Sequence, residues 1–133
     1  MNFLRKINPE WPLRLGLGFM YLYSGTDIIR HPTAWHWAIR PVINLVPASF
    51  QATLGSQNFL NRFLAFQGTI ELILAFLLLA WFLPKKIAKS AAVIIVLEMA
   101  AILLLIPVDS ITFRDIGLLG ASFALLLILA KAI

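Results

Sequence analysis

Cysteine is missing from this chain altogether. Its absence excludes disulfides, thiol redox pairs, thiolate metal sites and cysteine-bound iron–sulfur clusters, and it leaves the redox compartment unread. Charge is scarce as well, at 13% of residues against about 25% in an ordinary soluble domain. No phosphate loop or dinucleotide glycine motif occurs: Gly16 and Gly18 form a bare G-x-G inside an apolar run with no strand before it. The only two histidines, His31 and His36, suit neither a zinc pair on one helix face nor haem ligands on facing helices. A serine hydrolase would lack its histidine partner. Low-complexity segments are absent, and no internal repeat goes beyond two hairpin-like halves, so residues 1–133 read as one domain.

Apolar residues are what the chain has instead. They make up 61% of it, with a mean hydropathy of +0.90. A folded domain of this size buries only about 60–70% of its surface, so in water this composition would leave broad apolar patches, whereas lipid accepts them. The reading is an all-α integral membrane protein whose first partner is the bilayer. A net charge of +5 could suggest nucleic acid, but the basic residues stand at the ends of apolar segments rather than along one polar face. No nucleic-acid partner is expected.

Four segments reach spanning length, about residues 13–29, 63–83, 87–106 and 116–133. A helix rises ~1.5 Å per residue across a hydrocarbon layer of ~30 Å, so about 20 residues suffice and slightly shorter runs are tolerated. Asn2 to Lys6 is followed by Pro9, Trp11 and Pro12 without a cleavage pattern, so the first span is expected to persist in the mature protein. Pro12 opens that span and Pro32 helps end it; Pro84 is expected to stop the second. The short Pro84–Lys86 link makes the second and third spans antiparallel neighbours.

Basic residues set an orientation. Arg5, Lys6, Arg14, Lys85, Lys86, Lys89 and Lys131 fall on one side, and Arg30, Arg40, Arg62 and Arg114 on the other. The richer side faces the cytoplasm, which places both termini there in a plasma-membrane bundle. Between the first two spans, Trp35, Ala38, Ile39, Val42, Ile43 and Val46 repeat at the spacing of one apolar helix face. Residues 33–50 therefore read as an interfacial helical segment, kinked or divided at Pro41, either lying in the outer interface or capping the bundle.

Charges inside the bilayer carry the functional information, since a central Asp, Lys or Arg costs ~2.5–3.5 kcal/mol on insertion scales. Glu71 lies eight residues past Phe63 and Glu98 eight residues before Ile106, so both sit ~12 Å below the outer edge. Gln67 precedes Glu71 by one turn, and Gly68 allows close approach beside it. Gln67, Glu71 and Glu98 thus form a candidate intramembrane pocket in which a shared proton is the simplest satisfied state. Interhelical hydrogen bonding alone is the plainer account of the same residues.

At the outer mouth stand Asp27, Arg30, His31, Arg114 and Asp115, which read first as salt-bridged helix ends, with Arg114 a candidate to reach in and neutralise Glu71. Arg14, at the inner end, reads first as a side chain snorkelling to headgroups. Gly117, Gly120, Ala121 and Ala124 form a small-residue stripe expected to permit tight helix contact.

The stretches Leu13-Arg14-Leu15-Gly16-Leu17-Gly18 leading to Tyr23-Ser24-Gly25, then Gln67-Gly68-Thr69-Ile70-Glu71-Leu72, and Phe113-Arg114-Asp115-Ile116-Gly117-Leu118-Leu119-Gly120 stand out together. In these three stretches the chain resembles the DoxX-like family of small four-helix membrane proteins. The resemblance implies a membrane subunit of a quinone-linked redox complex. Arg14 and Arg114 would then be contacts for a quinone head or anionic substrate, and Glu71 a proton acceptor. No covalently bound cofactor is expected. Any electron transfer would rely on a quinone or a redox partner subunit. Two other functions remain open from the residues: a proton-coupled or small-solute carrier working as a homo-oligomer, and a non-catalytic scaffold.

Overall fold

The computed structural model describes residues 7–132, so Arg5, Lys6 and Ile133, used above for orientation and for the last span, lie outside the described residues. Among the described residues the chain is helical without strands: α1 Glu10–Arg30, a 3₁₀ turn Pro32–Trp35, α2 His36–Ile43, α3 Ala48–Leu54, α4 Gln57–Leu79, α5 Lys85–Leu105 and α6 Phe113–Lys131. Three of these helices, α4, α5 and α6, are long and apolar enough to cross a membrane.

Local chemistry explains the boundaries. The Asn8 side chain accepts the Glu10 N–H at 3.0 Å at the start of α1. Pro12 occupies the first turn, where an N–H would have no helical partner. The Ser56 hydroxyl accepts the Phe59 N–H and starts α4 six residues before the expected residue 63. The polar residues Gln57, Asn58, Asn61 and Arg62 hide this turn from a hydropathy reading. At its other end α4 stops at Leu79, short of the expected 83, because Pro84 forces the preceding residue out of helical geometry and the chain turns through Leu83 N–H to Ala80 O.

One further expectation is corrected. Pro41 does not divide the connection; it sits inside α2, and the break falls after Ile43, where Pro47 restricts Val46. The second and third spans are neighbours, as expected, although the α4–α5 hairpin is not the principal packing pair. α4 packs chiefly on α1 and α5 chiefly on α6, with thinner contact between α4 and α5.

The α1–α4 contact is close because two glycines cross there. A Cβ on Gly25 would meet the Gly68 carbonyl oxygen at 2.8 Å, and one on Gly68 would meet Ile29 Cγ1 at 2.8 Å. In α5 the buried residues Ala88, Ala91, Ala92, Ile95 and Met99 form one helical face toward the core. α6 answers with Ser122, Leu125 and Leu129, not with the glycine stripe: a Cβ at Gly117 or Gly120 meets nothing within 4 Å. Large apolar side chains that find no place inside, such as Phe19, Phe66, Ile73, Leu97, Leu104 and Phe123, project outward.

The α5–α6 turn is held by Asp109, whose Oδ1 accepts the Ile111 and Thr112 N–H groups at 2.8 Å each. These bonds, that from Thr112 above all, hold the Asp109 carboxyl below its ordinary range. A depressed carboxylate stabilises the fold above its unfolded pKa and releases that stabilisation as pH falls through the lower folded value. Amide exchange at Ile111 and Thr112, corrected for intrinsic rates, should therefore stay slow at neutral pH and accelerate only in acid below the usual aspartate range. In Asp109→Ala it should be fast throughout.

Candidate functional site

A cavity of about 830 Å³ opens where the C-terminal halves of α1 and α5 meet the N-terminal halves of α4 and α6. The connection between α1 and α4 supplies part of its wall through Trp35, Trp37, Ala38, Ile39 and Val42. Its size falls within the range typical of small-molecule sites. Most of the lining is apolar, so the few polar groups stand out: Tyr21 and Ser24 from α1, Gln67 and Glu71 from α4, Glu98 from α5, and Thr112, Arg114 and Asp115 at the α6 end.

Gln67, Glu71 and Glu98 thus line one cavity, although the two carboxyls are in different situations. Glu98 Oε2 accepts the Tyr21 hydroxyl proton at 2.8 Å, and Glu98 Oε1 accepts from the Gln67 amide. Two donors on two oxygens suit an ionised carboxylate, which only accepts. Glu71 is 7% exposed, and its Oε2 is buried without a hydrogen-bond partner. An unpaired buried acceptor costs ~1–3 kcal/mol, so this atom calls for a proton of its own or a donor from a bound molecule. Tyr21 and Gln67 are the donors found on Glu98.

At the opposite end, Arg14 departs from expectation. It is 2% exposed and does not snorkel. Its Nε donates to Leu78 O at 2.7 Å and its Nη2 to Ala80 O at 3.1 Å, while Nη1 pairs with Glu10 Oε1 at 3.0 Å. The carbonyls at a helix C-terminus lack helical donors, so this guanidinium caps α4 from α1. The Trp11 ring lies 4.5 Å from its centre, and Lys85 Nζ stands 3.6 Å from Glu10 Oε2.

The mouth charges separate into two groups. Asp27 Oδ1 lies 3.0 Å from His31 Nδ1, and Asp27 Oδ2 accepts the Trp35 indole proton at 2.9 Å, which pins the start of the connection to α1. Exposed Arg30 follows on α1, outside the cavity lining. Arg114 and Asp115 do line the cavity, but Arg114 Nε bonds Ile111 O at 3.3 Å and forms no ion pair with Glu71. Its backbone stands at the rim, and its fork turns back on its own helix start.

Sequence reasoning missed Glu10, Asn61 and the hydroxyl role of Tyr21. Glu10 and Arg14 are spaced i, i+4, a legible pairing signal. Tyr21 shares the Arg14 face of α1 two turns on, yet only the fold brings its hydroxyl to Glu98. Asn61 Oδ1 receives the buried His36 ring at 2.7 Å, tying α2 to α4 across 25 residues of sequence.

Fold and site together define the class: among the described residues, an all-helical protein with three helices long and apolar enough to cross a membrane and a largely apolar cavity lined by Glu71, Glu98 and Asp115. Comparison with family models, with curated proteins and with solved structures finds no match to the chain.

Proposed function

We propose that the chain is a four-span plasma-membrane protein whose cavity binds the ring of a quinone-type molecule, as the membrane subunit of a quinone-linked redox complex. The observation that carries this reading is the unpartnered Oε2 of Glu71 inside an apolar cavity of ring-accommodating size. Either a quinol hydroxyl donates to that oxygen, or a protonated Glu71 donates to a quinone carbonyl. Both satisfy a group that is otherwise left unmet. The Tyr21–Glu98–Gln67 network beside it offers further hydrogen-bonding groups to the ring.

Two features support α1 as the fourth span. At ~1.5 Å per residue its 21 residues match the ~30 Å hydrocarbon layer. Its charges near the lysine-rich end, Glu10 and Arg14, are buried against each other and against α4, while Leu15, Phe19, Leu22 and Ile29 face outward. With both termini cytoplasmic, the cavity lies in the outer half of the membrane under the α2 segment. The DoxX-like resemblance favours a redox partner subunit, because the chain offers no electron carrier of its own.

A carrier reading draws on the same atom, since a buried carboxyl with one oxygen lacking a donor is also a proton-coupling site. Gentle detergent extraction followed by mass spectrometry of the retained small molecules separates the two. Quinone should copurify with the wild type, and Glu71→Gln should retain roughly tenfold less of it, the loss expected for a hydrogen bond to a charged or strongly polar group. The thermal midpoint of Glu71→Gln should not fall, since the substitution removes a buried carboxyl with one unpartnered oxygen. Proton-dependent flux by the pure protein in liposomes, with no quinone retained, would replace the redox reading with the carrier.

A further inference from the structure

The contact between α4 and α5 is broken by a shallow fissure lined by Gln67, Ile70, Ile94, Leu97 and Glu98. Gln67 and Glu98 also line the large cavity, and they are hydrogen-bonded to each other across the two helices. One side-chain contact therefore stands between the cavity and the outer apolar surface at this level. On the outer side of that contact the fissure is aliphatic, and Leu97 and Ile94 are 64% and 46% exposed.

We propose that this fissure is a lateral opening occupied by the alkyl tail of the molecule whose polar head sits against Gln67, Glu71 and Glu98. The proposal rests on the reading that the cavity binds such a head. Polarity along the route runs in the order an amphipath requires: carboxyls and an amide inside, three aliphatic side chains outside. At the α6 end of the cavity stand Thr112, Arg114 and Asp115, where a hydrocarbon chain would strip water from charged groups. Passage through the fissure requires the Gln67 amide to leave Glu98 Oε1, and a hydroxyl on the incoming head takes over as donor to that oxygen. The thin packing of α4 on α5 allows the two helices to part locally without breaking the α1–α4 contact.

The test compares one benzoquinol ring without a tail and the same ring carrying a decyl tail, each titrated under reducing conditions into the purified protein. Wild type should bind both. The Ile94→Trp/Leu97→Trp variant, which fills the fissure, should bind the tailless ring unchanged and the decyl compound at least roughly tenfold more weakly. Equal binding of the decyl compound by variant and wild type overturns the lateral opening and leaves the head site standing. Failure of wild type to bind either ring overturns the head site itself. In the unmutated protein, a photoreactive group at the end of the decyl tail should mark Ile94, Leu97 or Ile70. Labelling confined to the α6 end near Thr112 and Asp115 would also overturn the proposal, whatever the variant's folding.

Discussion

Replacing Arg14 with alanine is expected to destabilise the protein by roughly 3–5 kcal/mol, the cost of breaking a buried ion pair while leaving one charge behind. The guanidinium supplies donors to Leu78 O, Ala80 O and Glu10 Oε1 at once, so its loss uncaps α4 and strands a nearly inaccessible carboxylate. Lys85, at 3.6 Å and on the edge of this cluster, compensates only in part. Arg14→Lys should recover a minority of the loss, because one ammonium cannot reproduce a planar fork spread over three acceptors. The double variant Glu10→Gln/Arg14→Met should be less damaged than Arg14→Met alone, since no unpaired charge remains. Unfolding midpoints of the purified proteins in one detergent decide the matter. A wild-type midpoint for Arg14→Lys would return this residue to the role of a headgroup anchor.

Gly68→Val should be the second most damaging change, because it attacks the line along which α1 and α4 touch. A Cβ at this position would stand 2.8 Å from Ile29 Cγ1 and 2.9 Å from the Gly25 carbonyl oxygen. The carbonyl belongs to the backbone and cannot swing aside. Overpacking costs ~1–3 kcal/mol for modest insertions, and a β-branched side chain should reach or exceed the upper end of that range. Gly68→Ala should fall lower in the same range. Gly120→Ala is the matched control: its new methyl group meets nothing within 4 Å, so its midpoint should hold at the wild-type value or rise slightly, alanine being the better helix former. Because Glu71 Cβ lies 3.0 Å from the position a Gly25 Cβ would take, parting the two helices should also shift Glu71 in the cavity. The thermal loss in Gly68→Val should accordingly be accompanied by weaker ligand retention. Equal midpoints for Gly68→Val and Gly120→Ala would show that the crossing is not tight.

Much of this was legible from the chain alone, because solvent preference is written residue by residue. A run of apolar side chains long enough to cross lipid identifies a helix wherever it packs, so the long apolar helices were anticipated, although the start of α4 was misplaced by six residues. Charged residues inside such runs are costly in any arrangement, which singled out Glu71 and Glu98 without coordinates. Prolines were harder to read. Pro84 and Pro47 act through the residue before them, while Pro41 is accommodated inside α2.

Composition and spacing determined that this protein is helical, that it carries helices suited to lipid, and that acidic groups lie within them. Tertiary structure alone decided which polar atoms meet. Arg14 reaches Leu78 and Ala80, more than sixty residues away in sequence, and Tyr21 reaches Glu98 at a separation of 77. No local pattern encodes such pairings, because they depend on which helix faces turn toward one another. That choice is made by close packing, with Gly25 against Gly68, and not by hydropathy, to which every apolar face looks alike. The same choice left one oxygen of Glu71 without a donor, and thereby gave the cavity its chemistry.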